Sequence, residues 1–295
     1  MADNTGTNRE YRDRLFKFIF GNPEHIDWTL DLYNAINGTS YTNIDDVQLT
    51  TIQDAVYMKM KNDVSFLVND TMSFYEQQST FNPNMPMRFL IYSGMVYSKY
   101  IQNTKSYREF SSAQQTAPAP QCVCFYNGTA SKDDKVILKL TDAFQPGSKS
   151  DIEVYVTMIN INYGHNKELL ETCRPLKEYS WFVDKIRTNF SQTKNLENAI
   201  DNALENLSDD SVIKPFLLEN KAEVKYMCIT EYNEERTLDQ KLEEGIEIGE
   251  KKGLIKGTLK TLAELVKDGI LPLTEAAKRA DMSISEFEEM AELNA

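Results

Sequence analysis

The residues best suited to chemistry lie in one short stretch, Met58 to Thr80, which reads MKMKNDVSFLVNDTMSFYEQQST. Asp63 opens a run of β-branched and aromatic residues, Asn69-Asp70 are turn formers, and a second run from Thr71 ends in Glu76-Gln77-Gln78. This is the pattern of a β-hairpin. Side chains alternate along a strand, so Glu76 and Gln78 share a face. If Asn69-Asp70 is a two-residue turn, Val68 pairs with Thr71, and counting outward sets Asp63 opposite Glu76. Directly opposed residues have Cβ atoms roughly 5 Å apart. Two carboxylates at that spacing repel unless a divalent cation, an Arg or a Lys lies between them. Two readings follow from the residues alone: a metal site, or a hairpin edge whose acids are solvated. In either case, neutralising one acid is expected to leave metal-free stability unchanged or raised.

The rest of that face is apolar, with Met72 and Phe74 below Glu76 and Leu67 below Asp63. A core strand that ends in charge is costly to keep without a role. Asp63 followed by Glu76-Gln77-Gln78 resembles the D…(D/E)xK site of the PD-(D/E)XK nuclease superfamily, with Gln78 in the lysine position. The run Glu76 to Arg88, EQQSTFNPNMPMR, resembles the Rpn branch, the recombination-promoting nucleases with a transposase-like label. So do Asp13-x-x-Phe16-Lys17-x-x-Phe20-Gly21, Phe125-Tyr-Asn-Gly128, Asn160-Ile-Asn-Tyr-Gly-His-Asn166 and Glu231-Tyr232. The similarity covers about residues 8 to 255.

The resemblance implies a mixed α/β fold, a restriction-endonuclease-like sheet flanked by helices, and a metal-dependent DNA endonuclease. It implies Mg²⁺, with Mn²⁺ as a substitute, held by Asp63, Glu76 and the backbone carbonyl of Gln77. Gln78 would orient the attacking water, and Asp13 would be a further acid presented from the first helix. The rival expectation is a catalytically weak or inactive nuclease scaffold that acts as an interaction module. An uncharged Gln78 and an acidic chain favour it.

A chain of 295 residues can bury a full core. Its net charge of -13 argues against a protein that coats nucleic acid. The imbalance is uneven: residues 201 onward hold 22 acids and 12 bases (-10), leaving 45 - 22 = 23 acids and 32 - 12 = 20 bases (-3) before them. DNA contact is therefore expected in the first part. No apolar run is long enough for a membrane span. The polar start is not expected to act as a signal peptide. The spacing of Cys122, Cys124, Cys173 and Cys228 suggests neither a disulfide framework nor a zinc site, so a cytoplasmic setting is expected.

Apolar spacing predicts helices over 10–20 and 24–36, with stops at Gly21-Asn22-Pro23 and Asn37-Gly38. A strand is expected around Val47 and Leu49, then the hairpin, then a helix over 87–101 behind it. Arg88, near the start of that helix, either pairs with an acid or approaches a phosphate. A connector over 111–120 leads to strands over 122–126, 136–140 and 152–161. His165, in a strand-to-helix turn, is expected to be a loop hydrogen-bonder. From Lys167 the pattern is helical. The nuclease-like domain is expected over 1–240 and an acidic helical tail over 241–295. In that tail Gly245, Gly249, Gly253 and Gly257 recur every four residues, and two or three short helices follow Leu259. This predicts a hinge or a homo-oligomer contact. The segment 274–287 has the outline of a helix-turn-helix, but Glu286, Glu288 and Glu289 on its second helix are wrong for a major groove.

Overall fold

The computed structural model describes residues 15–50, 63–104 and 111–291, apart from the side chains of 234–236, 238, 239 and 242. The chain divides into two compact units, residues 1–232 and 233–295.

The first unit is mixed α/β. Its sheet, among the described residues, has six strands in the order β1-β2-β3-β4-β6-β5. β1 (Val47–Leu49), β2 (Val64–Val68) and β3 (Thr71–Gln78) form an antiparallel meander. β4 (Ala119–Tyr126) and β6 (Tyr155–Asn160) then run parallel to β3, and β5 (Lys135–Lys139) closes the far edge antiparallel to β6. The hairpin register is Val68 on Thr71 through Val64 on Tyr75. Asn69 turns the corner with φ 50, a left-handed conformation that Asn tolerates.

β4 starts earlier than its apolar run suggests, taking in Pro120. β6 reaches only Val123–Tyr126, so among the described strands Pro120 pairs with β3 alone and its missing amide breaks no second ladder.

Alternation sorts the sheet into two cores. Val64, Phe66, Tyr75, Val123, Phe125 and Ile159 face a helical layer. That layer contains α1 (Leu15–Phe20), α2 (Ile26–Asn37), α4 (Lys167–Thr172), α5 (Arg174–Thr193), α6 (Leu196–Glu205), α7 (Lys214–Glu219) and the start of α8 (Lys221–Lys267). Met72, Phe74, Cys124, Tyr126 and Met158 face α3 (Met85–Asn103) through Met85, Phe89, Tyr92 and Val96. Cys124 is buried and Cys122 half-buried on that second face, and both are free thiols. Burial pushes the Cys122 thiol up to about 12, so neither its position nor its acidity suits nucleophilic work.

The second unit begins within α8. Leu259 and Leu262 of α8 pack with Ala276 and Ala277 of α9 (Leu273–Arg279) and Phe287 of α10 (Ile284–Met290). The apolar group at Leu262, Leu265 and Val266, expected as the first short helix of the tail, is instead the end of α8, which runs unbroken for 47 residues. The four glycines stay helical, and a methyl group on any of them would meet nothing within 4 Å. Ser283 and Glu286 form a capping box at the start of α10.

Candidate functional site

β3 occupies the middle of the sheet, and its last residues divide between the two cores. Phe74, Glu76 and Gln78 face α3, whereas Tyr75 and Gln77 face the helical layer. Asp63 lies one residue beyond the Val64–Tyr75 rung, opposite Glu76 in the continued register and on its face. The Gln77 amide, beyond that rung, donates to Asp63 Oδ2 at 2.7 Å. The Asp63 carboxylate is thus tied to the backbone of the strand that carries Glu76.

Glu76 is nearly fully buried, with a side chain 3% exposed. α3 supplies its counter-charge: Arg88 Nη2 lies 2.5 Å from Glu76 Oε1. Arg88 comes within reach because Asn84 and Pro86 start α3 just past the hairpin, placing Met85, Arg88 and Tyr92 on consecutive turns of one face. The Tyr92 hydroxyl accepts from Arg88 Nε at 3.1 Å and Nη2 at 2.8 Å. Burial, and then the negative charge of Glu76, push that hydroxyl up to about 12, and Asp63 adds in the same sense. Asp63, Glu76, Arg88 and Tyr92 therefore form one electrostatic cluster. Gln78, also buried, turns its amide toward Met85 Sδ.

The repulsion expected of two facing acids without a cation between them is relieved here. The carboxylates are already served, one by a guanidinium and the other by a backbone amide. An arginine is among the cations the sequence allowed at this place.

On the other face the Gln77 side chain begins a polar chain. Its Nε2 donates to Asn127 Oδ1 at 2.6 Å, and Asn127 Nδ2 donates to the Tyr179 hydroxyl at 3.2 Å. Tyr179 is fully buried, and burial first, then the charge of Glu231, holds its hydroxyl well above the usual tyrosine range. Glu231 Oε1 accepts the Leu15 amide at 2.7 Å, tying α8 to α1. Arg187 donates to Asn162 Oδ1 at 3.2 Å, and Asn162 Nδ2 donates to Gly128 O at 3.0 Å. Gly128 passes so close to Ser79 that a Cβ would stand 1.8 Å from the Ser79 carbonyl oxygen. The segments Phe125–Gly128 and Asn160–Asn166 thus meet Gln77–Ser79 where the parallel strands β3, β4 and β6 end. His165 contacts Asp134 across 2.6 Å, and Asn166 donates to Asp134 O at 2.7 Å, both anchoring a surface turn as expected.

Asp13 lies outside the described residues. Among the described residues no group of three or more His, Cys, Asp or Glu side chains is placed to hold an ion. The donor set at Asp63, Glu76 and the Gln77 carbonyl is nonetheless all oxygen with two carboxylates, the chemistry a hard divalent cation takes when substrate and water complete its shell. Sequence reasoning did not place Tyr92, Asn127, Tyr179 or Arg187 in the site. Asn127 lay inside a flagged motif, but Tyr179 and Arg187 carried no local signal.

A separate cavity of ≈ 550 Å³ is lined by Tyr163, Arg174, Glu178, Trp181 and Asp210. Its charges pair with one another, Arg174 lying 2.9 Å from Glu178 and 2.8 Å from Asp210.

Comparison of the chain with family models, with curated proteins and with solved structures finds no match.

The Arg88–Glu76 pair sets the first prediction. Glu76→Gln keeps shape but leaves the partly buried guanidinium facing a neutral amide. Metal-free stability should fall by about 1–3 kcal/mol, less than for a fully buried pair because Arg88 keeps some contact with water. Asp63→Asn retains an acceptor for the Gln77 amide and should cost less than about 1 kcal/mol. Urea unfolding at low divalent-ion concentration checks both. A Glu76→Gln protein as stable as wild type would contradict the pairing.

Proposed function

We propose that this chain is a Mg²⁺-dependent DNA endonuclease, with a restriction-endonuclease-like sheet and its reaction centre at Asp63 and Glu76. The observation that supports the reading is the hairpin register, whose continuation past Val64–Tyr75 brings Asp63, just before β2, opposite Glu76 and onto its face. They stand where three parallel strands end, and crevices at such ends are common ligand sites. The similarity to Rpn-type nucleases points the same way, including a role in recombination or transposition.

In this reading Asp63, Glu76 and the Gln77 carbonyl hold the ion. When bound, it would polarise the scissile phosphate and lower the pKa of the attacking water. The chain's own residues do the positioning. The Gln77 amide fixes one oxygen of Asp63. The Gln77–Asn127–Tyr179 chain anchors this end of β3 to α5. Gln78, without charge, can orient but not neutralise, so slow turnover is expected. Bases at this end, Arg88, Lys132 (stacked over Phe81 at 4.0 Å) and Arg187, are the groups assigned to the DNA backbone.

One observation favours a second reading. Glu76 and Gln78 are both buried beneath α3, and Glu76 already has its arginine. A nuclease scaffold retained as an interaction module would look the same.

Purified protein should nick plasmid DNA in Mg²⁺ or Mn²⁺ and not in chelator. Asp63→Asn and Glu76→Gln should each lower the rate at least about 100-fold while circular dichroism stays unchanged. Cleavage indifferent to both substitutions would place the chemistry elsewhere. No cleavage by wild type on plasmid, linear or single-stranded DNA, together with no measurable heat of metal binding, would favour the scaffold.

We assign self-association to the second unit. Ile246, Ile248, Leu254 and Ile255 of α8 are 49–74% exposed on a helix that four glycines weaken by roughly 1 kcal/mol each. In sedimentation, the full chain should run as an oligomer and a chain ending at Asp239 as a folded monomer. A monomeric full chain would remove this assignment.

A further inference from the structure

Glu76 faces two claims in the proposed site. Its Oε1 lies 2.5 Å from Arg88, and the same carboxylate is asked to bind a divalent ion. A guanidinium and a divalent cation on one carboxylate repel each other. The repulsion grows as water is excluded, and a divalent ion doubles that of a unit charge. The two cations therefore compete for Glu76.

The two partners of the pair are not equally fixed. Glu76 sits in the central strand with its side chain 3% exposed, whereas the Arg88 side chain is 27% exposed at the end of a long aliphatic stem. Arg88 is the partner that can move. It would not leave the site altogether, because the Tyr92 hydroxyl, one turn along α3, receives two of its N–H groups independently of Glu76. The guanidinium would stay within a side chain's reach of whatever Glu76 binds.

Phosphodiester cleavage builds negative charge on the phosphate oxygens as the water attacks. Gln78 contributes no charge to offset it. A planar guanidinium is well matched to a phosphate, on which it places two parallel N–H donors.

We propose that Arg88 is the exchangeable cation of this site: it neutralises Glu76 in the metal-free protein, yields that carboxylate to a divalent ion, and passes to the scissile phosphate as a catalytic residue. No covalent bond to Arg88 forms or breaks. The inference rests on the nuclease reading and adds to it a competition between arginine and metal.

Such an exchange has opposite consequences for binding and for rate. Arg88→Met keeps the stem and removes the charge. Mn²⁺ titrated calorimetrically into the full chain without DNA should bind Arg88→Met more tightly than wild type, on the order of tenfold. Plasmid cleavage at saturating metal should fall about 100-fold. A structural role would lower both quantities together. Arg88→Lys guards against a misfolded Met variant: it keeps the charge, so metal affinity should stay near wild type, while loss of the paired donors should slow cleavage about tenfold. Weaker or unchanged metal binding in Arg88→Met, or cleavage as fast as wild type, overturns the proposal. If Asp63→Asn abolishes cleavage and Arg88→Met does not, only this inference fails. If wild type neither binds metal nor cleaves DNA, the nuclease reading fails with it.

Discussion

A carboxylate buried in the central strand of a sheet has to be neutralised, and much of this protein is arranged around that requirement at Glu76. The neutralising group is Arg88, 2.5 Å away on α3. The pair draws the first turns of α3 over the polar end of β3, and Met85, Phe89 and Tyr92 extend the contact as an apolar face. The turn at Asn69-Asp70 does the rest, because a slip of one residue would send Glu76 and Gln78 to the opposite core. Two of the site's polar side chains, Glu76 and Gln78, are buried in consequence, while Asp63 and Arg88 are partly solvated.

The same few residues of β3 satisfy the opposite face by hydrogen bonding rather than charge. Gln77 uses its backbone amide for Asp63 and its side chain for Asn127. Asn127 passes the contact to the buried Tyr179 hydroxyl on α5. Polar groups at this depth cost several kcal/mol if left unmade, so the chain specifies one alignment of sheet and helices. Gly128 permits that alignment, since its backbone must pass the Ser79 carbonyl where no Cβ fits. The candidate chemistry on one face is thereby coupled to the packing of the other.

Short-range features were legible in the sequence. The hairpin and its register followed from turn formers between two alternating runs, and Val68 pairs with Thr71 as counted. The strands near 122–126 and 136–140, and the helix behind the hairpin, followed from spacing, as did the coarse mixed α/β class. Partners set by tertiary structure were not legible. Arg88 was open between an acid and a phosphate, because a segment with two prolines separates it from Glu76 and nothing local sets its direction. Tyr179 and Arg187 fall in the stretch after Lys167 that read only as helical. In the tail the spacing of the glycines left a hinge and a helix contact open, and α8 runs through all four of them.

The central claim is that Asp63 and Glu76 together hold a catalytic divalent ion. Anomalous diffraction from crystals of the full chain grown with Mn²⁺ and a short DNA duplex addresses it directly. A single strong anomalous peak is expected between the two carboxylates, within about 2.0–2.4 Å of an oxygen from each, with Arg88 turned from Glu76 toward a phosphate. Well-ordered Asp63 and Glu76 with no peak between them, and Arg88 still paired to Glu76 in the presence of DNA, would contradict it.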